Sequence, residues 1–244
     1  MPSTLEAPVS PPGVKDAVTF SGVARRFGAI AALEDLDLRV APGELVAVVG
    51  PSGCGKSTLL ELVCGLQEPD AGTVTAQPAV LMPQRDALLP WASALDNAAL
   101  PLRIRGRSRE GARPLFARFG LEGFERARPH ELSGGMRQRV AFLRTLLADK
   151  PVLALDEPFA ALDALTRAEM QEWLDAALRE EPRTTLLVTH DVEEAVVLGD
   201  RVIVLSPRPG RVVADLRVAP ARPRDRTSPE VQAVRAAVLA ELRR

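Results

Sequence analysis

Hydrophobic positions recur along this chain with two periods, and the switches between them mark out its elements. Between Val18 and Val40 the apolar positions skip one residue at a time, and Leu36, Leu38 and Val40 interleave with Asp35, Asp37 and Arg39. A period of two is that of a strand with one buried face. Pro42-Gly43 then turns the chain into Leu45-Val46-Ala47-Val48-Val49, an unbroken apolar run of the kind buried on both faces. A helix is expected from 56 to about 65, followed by short strands at 73–76 and 79–82. Further on, the pattern predicts a helix over 136–148, a second buried strand at 152–155, a helix over 164–179 and a strand at 185–188. Strands alternating with helices in this way form a parallel sheet. A strand at 201–205 meets another at 212–218 across a turn containing Pro207, Pro209 and Gly210, and the chain ends in a Pro/Arg-rich stretch and a helix over 229–242.

Two segments break this rhythm. Residues 1–14 carry Pro2, Pro8, Pro11 and Pro12 with almost no charge and read as a disordered leader. The stretch 85–131 holds arginines at 103, 105, 107, 109, 113, 118, 126 and 128, with helical apolar spacing near 95–104 and 115–121. It reads as an inserted, helical and solvated segment.

Composition narrows the class of protein. The chain is 46% hydrophobic and 26% charged, which is ordinary for a soluble globular domain, and 244 residues can bury a sizeable core. With 31 basic against 32 acidic residues the net charge is −1, so no general basic field points to nucleic acid. No apolar stretch approaches the roughly 20 residues that span a bilayer, and no signal-peptide pattern opens the chain. Two cysteines (Cys54, Cys64) and two histidines (His130, His190) are too few for a zinc module or a disulfide framework. A soluble cytoplasmic α/β protein is the expectation.

The chemistry concentrates at the ends of the apolar runs. Gly50-Pro51-Ser52-Gly53-Cys54-Gly55-Lys56-Ser57-Thr58 fits G-x-x-x-x-G-K-[ST], set between a buried strand and a helix. In such a loop the backbone N–H groups converge on phosphates at the positive end of the helix, the lysine reaches the β- and γ-phosphates, and the hydroxyl of Ser57 joins a Mg²⁺ shell. Cys54, beside a helix N-terminus, is expected to be a reactive thiol. The second buried strand runs into Asp156-Glu157-Pro158. Parallel strands present their carboxyl ends to the ligand crevice, so these acids face a nucleotide, with Asp156 serving Mg²⁺ through a water and Glu157 polarising the attacking water. A solvated pair of acids is the bland alternative. A GTPase would need an Asn-Lys-x-Asp reader, yet the only asparagine is Asn97, followed by Ala98. A soluble small-molecule kinase remains open at this point.

Leu132-Ser133-Gly134-Gly135-Met136-Arg137-Gln138-Arg139 places a serine and two glycines directly before a helix, an N-cap with exposed N–H groups. With this element the chain resembles the ATP-binding cassette (ABC) family, whose signature is LSGGQ. Met136 replaces its glutamine, and Gln138 follows two residues later. The resemblance covers about residues 18–218 and implies a P-loop NTPase fold: a RecA-like parallel core with an N-terminal antiparallel β subdomain and an inserted helical subdomain at about 85–148. It divides the chain into a leader at 1–14, a nucleotide-binding domain at 15–218 and a C-terminal tail and helix at 219–244. It also implies that Gln84 is the Q-loop ligand of Mg²⁺, that Ala161-Leu162-Asp163 lies at a dimer seam, and that His190 is the switch histidine. Phe27, in Arg25-Arg26-Phe27-Gly28, stands where the family stacks adenine, usually on a tyrosine; this chain has no tyrosine. A phenylalanine keeps the π-face and loses the hydroxyl. His130 reads as structural.

The resemblance further implies ATP and Mg²⁺ as ligands and a second copy of the chain bound head to tail, so that Ser133, Gly134 and Gly135 of one copy close over the phosphate loop of the other. No long coiled coil, second cassette or zinc module is present, so a DNA- or ribosome-linked cassette ATPase is the weaker alternative. An importer subunit at the cytoplasmic face of a bacterial inner membrane is expected, working with an integral membrane permease and, indirectly, an exported solute-binding protein. Leu88-Leu89-Pro90-Trp91 is either an exposed cluster that receives the permease or core of the helical segment. The Ser206–Arg211 turn and the Arg222–Arg226 stretch resemble the nitrate/sulfonate/taurine importer group, and pyrimidine-precursor importers share much of that tail.

Overall fold

The period-two register seen in the sequence decides how the layers stack. The computed structural model describes residues 15–160 and 162–243; the leader expected at 1–14 and Ala161 of the seam motif lie outside the described residues. The alternating N-terminal stretch is two strands, β1 (Val18–Phe27) and β2 (Ile30–Val40), paired antiparallel around Gly28-Ala29. Leu36, Leu38 and Val40 are buried while Asp35, Asp37 and Arg39 are exposed. After β3 (Leu45–Val49) and α1 (Lys56–Val63), β4 (Ala71–Ala76) joins the other side of β1, giving a three-stranded sheet of order β2-β1-β4.

The second sheet holds the chemistry. Its order is β5 (Ala79–Met82), β6 (Val152–Asp156), β7 (Thr184–Val188), β3, β8 (Arg201–Leu205) and β9 (Val212–Arg217). All neighbours are parallel except the final β8–β9 hairpin. Every residue of β3, β6, β7 and β8 is buried, and strand alternation divides each run between two faces. Val46 and Val48 face α1 and the antiparallel sheet, while Ala47 and Val49 face α7 (Val192–Leu198) and α8 (Pro229–Leu242). Leu153 and Leu155 of β6 and Leu187 of β7 pack under the helical segment, α5 (Gly134–Leu147) and α6 (Ala164–Glu180). Each such side chain contributes about 1.5–3 kcal/mol by leaving water.

The arginine-rich insertion is less helical than its spacing predicts. It contains α2 (Ala94–Ala98), α3 (Leu100–Ile104) and α4 (Arg113–Arg118), each of five or six residues, joined by turns. Polar capping replaces length here: buried Asn97 donates to the carbonyls of Leu89, Ala92 and Ser93 and accepts from the N–H of Leu89. That bond set buries Leu88 and leaves Trp91 72% exposed, so the Leu88–Trp91 cluster is split between core and surface. Among the described residues no helix is long and apolar enough to cross a membrane.

The Pro/Arg-rich stretch before α8 is an ordered strap. Arg222 pairs with Asp175 and Asp200, and Arg226 with Glu193 and Gln171. Between them Arg224, its side chain 1% exposed, donates to the carbonyls of Val196, Val197 and Gly199 at the end of α7 and to those of Val218 and Pro220. A guanidinium thus supplies the donors that a helix C-terminus otherwise lacks. Truncating Arg224 to Ala strands several carbonyls in a dry environment. We expect a loss of about 2–4 kcal/mol in urea-monitored unfolding; a loss within about 0.5 kcal/mol would show that the strap does not support α7.

Candidate nucleotide site

The loop between β3 and α1 curls because its backbone is free to do so. Gly53 and Gly55 have φ of +76° and +100°, in the left-handed region that favours glycine. At Gly55 a Cβ would lie 2.6 Å from Leu33 Cδ2 and 2.8 Å from the Ala32 carbonyl oxygen, so β2 packs directly on the loop. Lys56 begins α1, and its Nζ donates to the carbonyls of Gly50 (2.8 Å) and Pro51 (3.1 Å). The ammonium is held across the mouth of its own loop.

A cleft of about 430 Å³ opens above it. Its walls are Phe27, Ile30 and Ala32 from the antiparallel sheet, Ser52, Gly53 and Gly55–Thr58 from the loop and α1, Gln84 beyond β5, Asp156 and Glu157 at the end of β6, and Arg208 from the β8–β9 turn. Sequence-expected residues from four separate elements therefore converge. Gly50, Pro51 and Cys54 form the back of the loop and do not line the cleft. Phe27, 45% exposed, presents its ring at the cleft edge with the Arg25 guanidinium 5.0 Å from the centroid.

The acid pair divides as strand alternation requires. Asp156 is buried and accepts a hydrogen bond from the Ser57 hydroxyl; desolvation holds its pKa above the ordinary carboxylate value. Glu157 leaves the strand with φ +46°, rare for a residue with a side chain, while its N–H still donates to Val188. That turn of the backbone aims the carboxylate across the cleft. Its Oε2 accepts from Gln84 Nε2 at 3.0 Å and lies 3.2 Å from Nδ1 of His190, which follows β7. Three residues from the ends of three neighbouring strands thus share one oxygen.

Ser133 caps α5, its Oγ accepting from the Met136 N–H at 3.2 Å. Ser133 is exposed, and neither it nor Gly134 and Gly135 lines the cleft. Asp163 caps α6 in the same way, and His130 is exposed on a short 3₁₀ turn.

Cys54 differs from the sequence expectation. It is 1% exposed, and burial pushes its thiol up despite the nearby Lys56 and Arg208 charges. Desolvation outweighs the helix terminus, so the thiol is protected rather than activated.

Several residues escaped the sequence reading. Gln138 donates from Nε2 to the Pro158 carbonyl, tying the Ser133 helix to the acid-bearing strand. Arg167 holds the carbonyls of Phe159 and Leu162. Arg208 reads in the sequence as part of a turn. The available signal was topological: β8 neighbours β3, so the turn after β8 must abut the phosphate loop. Glu194 of α7 is buried beside Glu157 and His190 and accepts from Gln171 at 3.3 Å, with Oε1 left without a protein partner.

A parallel sheet with a phosphate loop after one strand, and a buried Asp156 followed by a half-buried Glu157 after another, has the architecture of a P-loop NTPase. Comparison with known proteins narrows this class. The ABC transporter family matches residues 33–160. The aliphatic sulfonates import ATP-binding protein SsuB 1 of Rhodococcus jostii is 48% identical over 219 residues, 87% of each chain. The formylaminopyrimidine import ATP-binding protein ThiZ of Halalkalibacterium halodurans is 44% identical, covering 85% of this chain and 86% of that one. Among solved structures, the dimeric bacterial ABC transporter cassette MJ0796 superposes with a TM-score of 0.76 at 29% identity, over 84% of this chain and all of that one. A post-hydrolysis state of the same cassette bound to ADP and Pi gives 0.74. The chain belongs to the ABC transporter family, and it is a transport-coupled ATPase that binds ATP.

Burial pushes the Glu194 carboxyl up to about 8, against 4.5 when free. The folded protein therefore holds a proton that the unfolded chain releases, and stability falls as pH rises from about 4.5 to about 8. Denaturant titrations across that window should show a shallower fall for Glu194→Gln than for the wild type. Parallel pH profiles would contradict a proton held at this site.

Proposed function

We propose that this chain is the ATP-hydrolysing subunit of a bacterial importer, seated at the cytoplasmic face of the membrane against an integral permease that an exported solute-binding protein supplies. The observation that carries the reading is the shared Glu157 oxygen, bonded to Gln84 and next to His190 inside the cleft that holds the phosphate loop. A carboxylate held there by two partners can take the proton of a water attacking the γ-phosphate.

In this reading Phe27 stacks on adenine, the N–H groups of Ser52–Thr58 wrap the phosphates, and Lys56 exchanges its loop carbonyls for phosphate oxygens. Asp156, Ser57 and Gln84 offer hard oxygen donors in one cleft, and the Ser57–Asp156 hydrogen bond already brings two of them together. These donors suit Mg²⁺, which when bound neutralises charge on the β- and γ-phosphates. Glu157 accepts the proton of the attacking water, and His190 orients against the γ-phosphate. Ser133, Gly134 and Gly135 serve the cleft of a second copy bound head to tail. The exposure of Ser133, and the position of all three away from the chain's own cleft, support that arrangement. The solute is a small anion of the sulfonate or nitrate type, in line with the SsuB relatives; ThiZ supports a pyrimidine precursor as the second reading.

Glu157→Gln should bind ATP as the wild type does and lose about 10²–10⁴-fold in turnover. In cells lacking the native copy, the wild type and not this variant should restore growth on an alkylsulfonate as sole sulfur source. Turnover by the variant at the wild-type rate would remove Glu157 from the chemistry, and rescue only of pyrimidine-precursor uptake would reassign the solute.

The shared site has its own test. Lys56→Ala and Ser133→Arg each spoil both sites of their own homodimer, whereas a mixed dimer keeps one site whole. Mixing the two should restore ATP-dependent dimers on gel filtration. Two folded variants that yield no mixed dimer would overturn the head-to-tail assembly.

A further inference from the structure

Charge around the cleft is unevenly provided. A nucleoside triphosphate brings several negative charges into a space that already holds Asp156 and Glu157, and the phosphate-loop motif supplies one cation, Lys56. Among the described residues, the other cation lining the cleft is Arg208, which no motif contains. It belongs to the turn joining β8 to β9, far from the loop in sequence.

That turn is built to present it. The N–H of Gly210 donates to the Ala32 carbonyl (2.9 Å), and the N–H of Glu34 donates back to the Gly210 carbonyl (3.1 Å), so the turn is stitched onto β2. Arg211 pairs with Glu34 at 2.6 Å, and Ser206 Oγ accepts from the Arg211 N–H while donating within the turn. On the loop side, a Cβ at Gly210 would lie 2.0 Å from the Cys54 carbonyl oxygen, so the two backbones touch. From this platform Arg208 Nε donates to the Gly53 carbonyl at 3.0 Å, and Nη2 lies 2.7 Å from where a Cβ of Gly53 would stand. One edge of the guanidinium is therefore fixed on the loop, and the side chain lines the cleft beside it.

We infer that Arg208 is a second phosphate-binding cation of the nucleotide site, carried by the β8–β9 turn and contacting the polyphosphate of ATP alongside Lys56. The inference rests on the nucleotide reading above and goes beyond the family motifs, none of which includes this position. A guanidinium anchored by Nε is pre-organised to donate from its other nitrogens, which reduces the ordering cost of binding phosphate oxygens. It also gives a reason for the proline- and glycine-rich turn: the turn sets the reach of one side chain.

The test is equilibrium titration of the full chain with ATP and with adenosine, in EDTA so that no hydrolysis occurs. Arg208 is exposed, so Arg208→Gln and Arg208→Lys should both melt within about 2 °C of the wild type. Arg208→Gln should weaken ATP about tenfold and leave adenosine unchanged, with a shallower dependence of ATP affinity on KCl. Arg208→Lys, which keeps the charge but loses the Nε anchor, should recover part of the loss. ATP affinity unchanged in Arg208→Gln would overturn the inference. So would equal losses in the Gln and Lys variants, which would make Arg208 a staple of the loop and not a ligand of phosphate. Failure of the wild type to bind ATP would instead strike the nucleotide reading. Loss of ATP in Lys56→Ala with none in either Arg208 variant would keep that reading and remove this one.

Discussion

The cleft depends on three backbones approaching more closely than side chains permit. The loop after β3 is pressed by β2 at Gly55 and by the β8–β9 turn at Gly210, where a single added carbon would collide with a carbonyl oxygen. These approaches hold the curl of the loop, and they do so with packing rather than with charge. Hydrogen bonds from Gly210 to Ala32 and from Glu34 to Gly210 then fix β2, the loop and the turn as one body. Arg208 is carried into the cleft by that body, and Phe27 reaches it at the end of β1, which pairs with β2.

The acid-bearing face of the cleft is assembled on a different principle. Parallel strands β6 and β7 and the residues beyond β5 all end at one edge, so Glu157, His190 and Gln84 meet without any contact between their local sequences. Helix ends then couple this edge outward. Gln138 links the exposed Ser133 cap to Pro158, and α7, which starts just after His190, is gripped by the arginine strap at its end and through Glu193 near its start. α5 is thus tied directly to the residue after the acid pair, and α7 is tied to the strap.

The elements that the sequence makes legible are those governed by local rules. Continuous apolar runs identify β3, β6, β7 and β8, and glycine placement with a following lysine identifies the phosphate loop. The alternation of Leu36, Leu38 and Val40 gives the buried face of β2. What stays hidden is set by pairs far apart in the chain. Arg208 reaches Gly53 across 155 residues, and Gln171 reaches Glu194 only once α6 and α7 are packed. Cys54 was misread for the same reason: its position beside a helix terminus is local, whereas its burial is a property of the whole fold. The insertion's helical spacing overstated its helices because Asn97 and the turns, rather than length, satisfy its backbone.

Lys56 has one further consequence. With its ammonium already bonded to the Gly50 and Pro51 carbonyls, Lys56 keeps its charge but has two of its three donors engaged within the loop. A ligand gains only the difference between its own oxygens and the two carbonyls it displaces. A singly charged anion meets poor terms in that exchange, while a polyphosphate chain, engaging many N–H groups at once, completes it. On the nucleotide reading proposed above, the loop therefore favours ligands that bring several charges together.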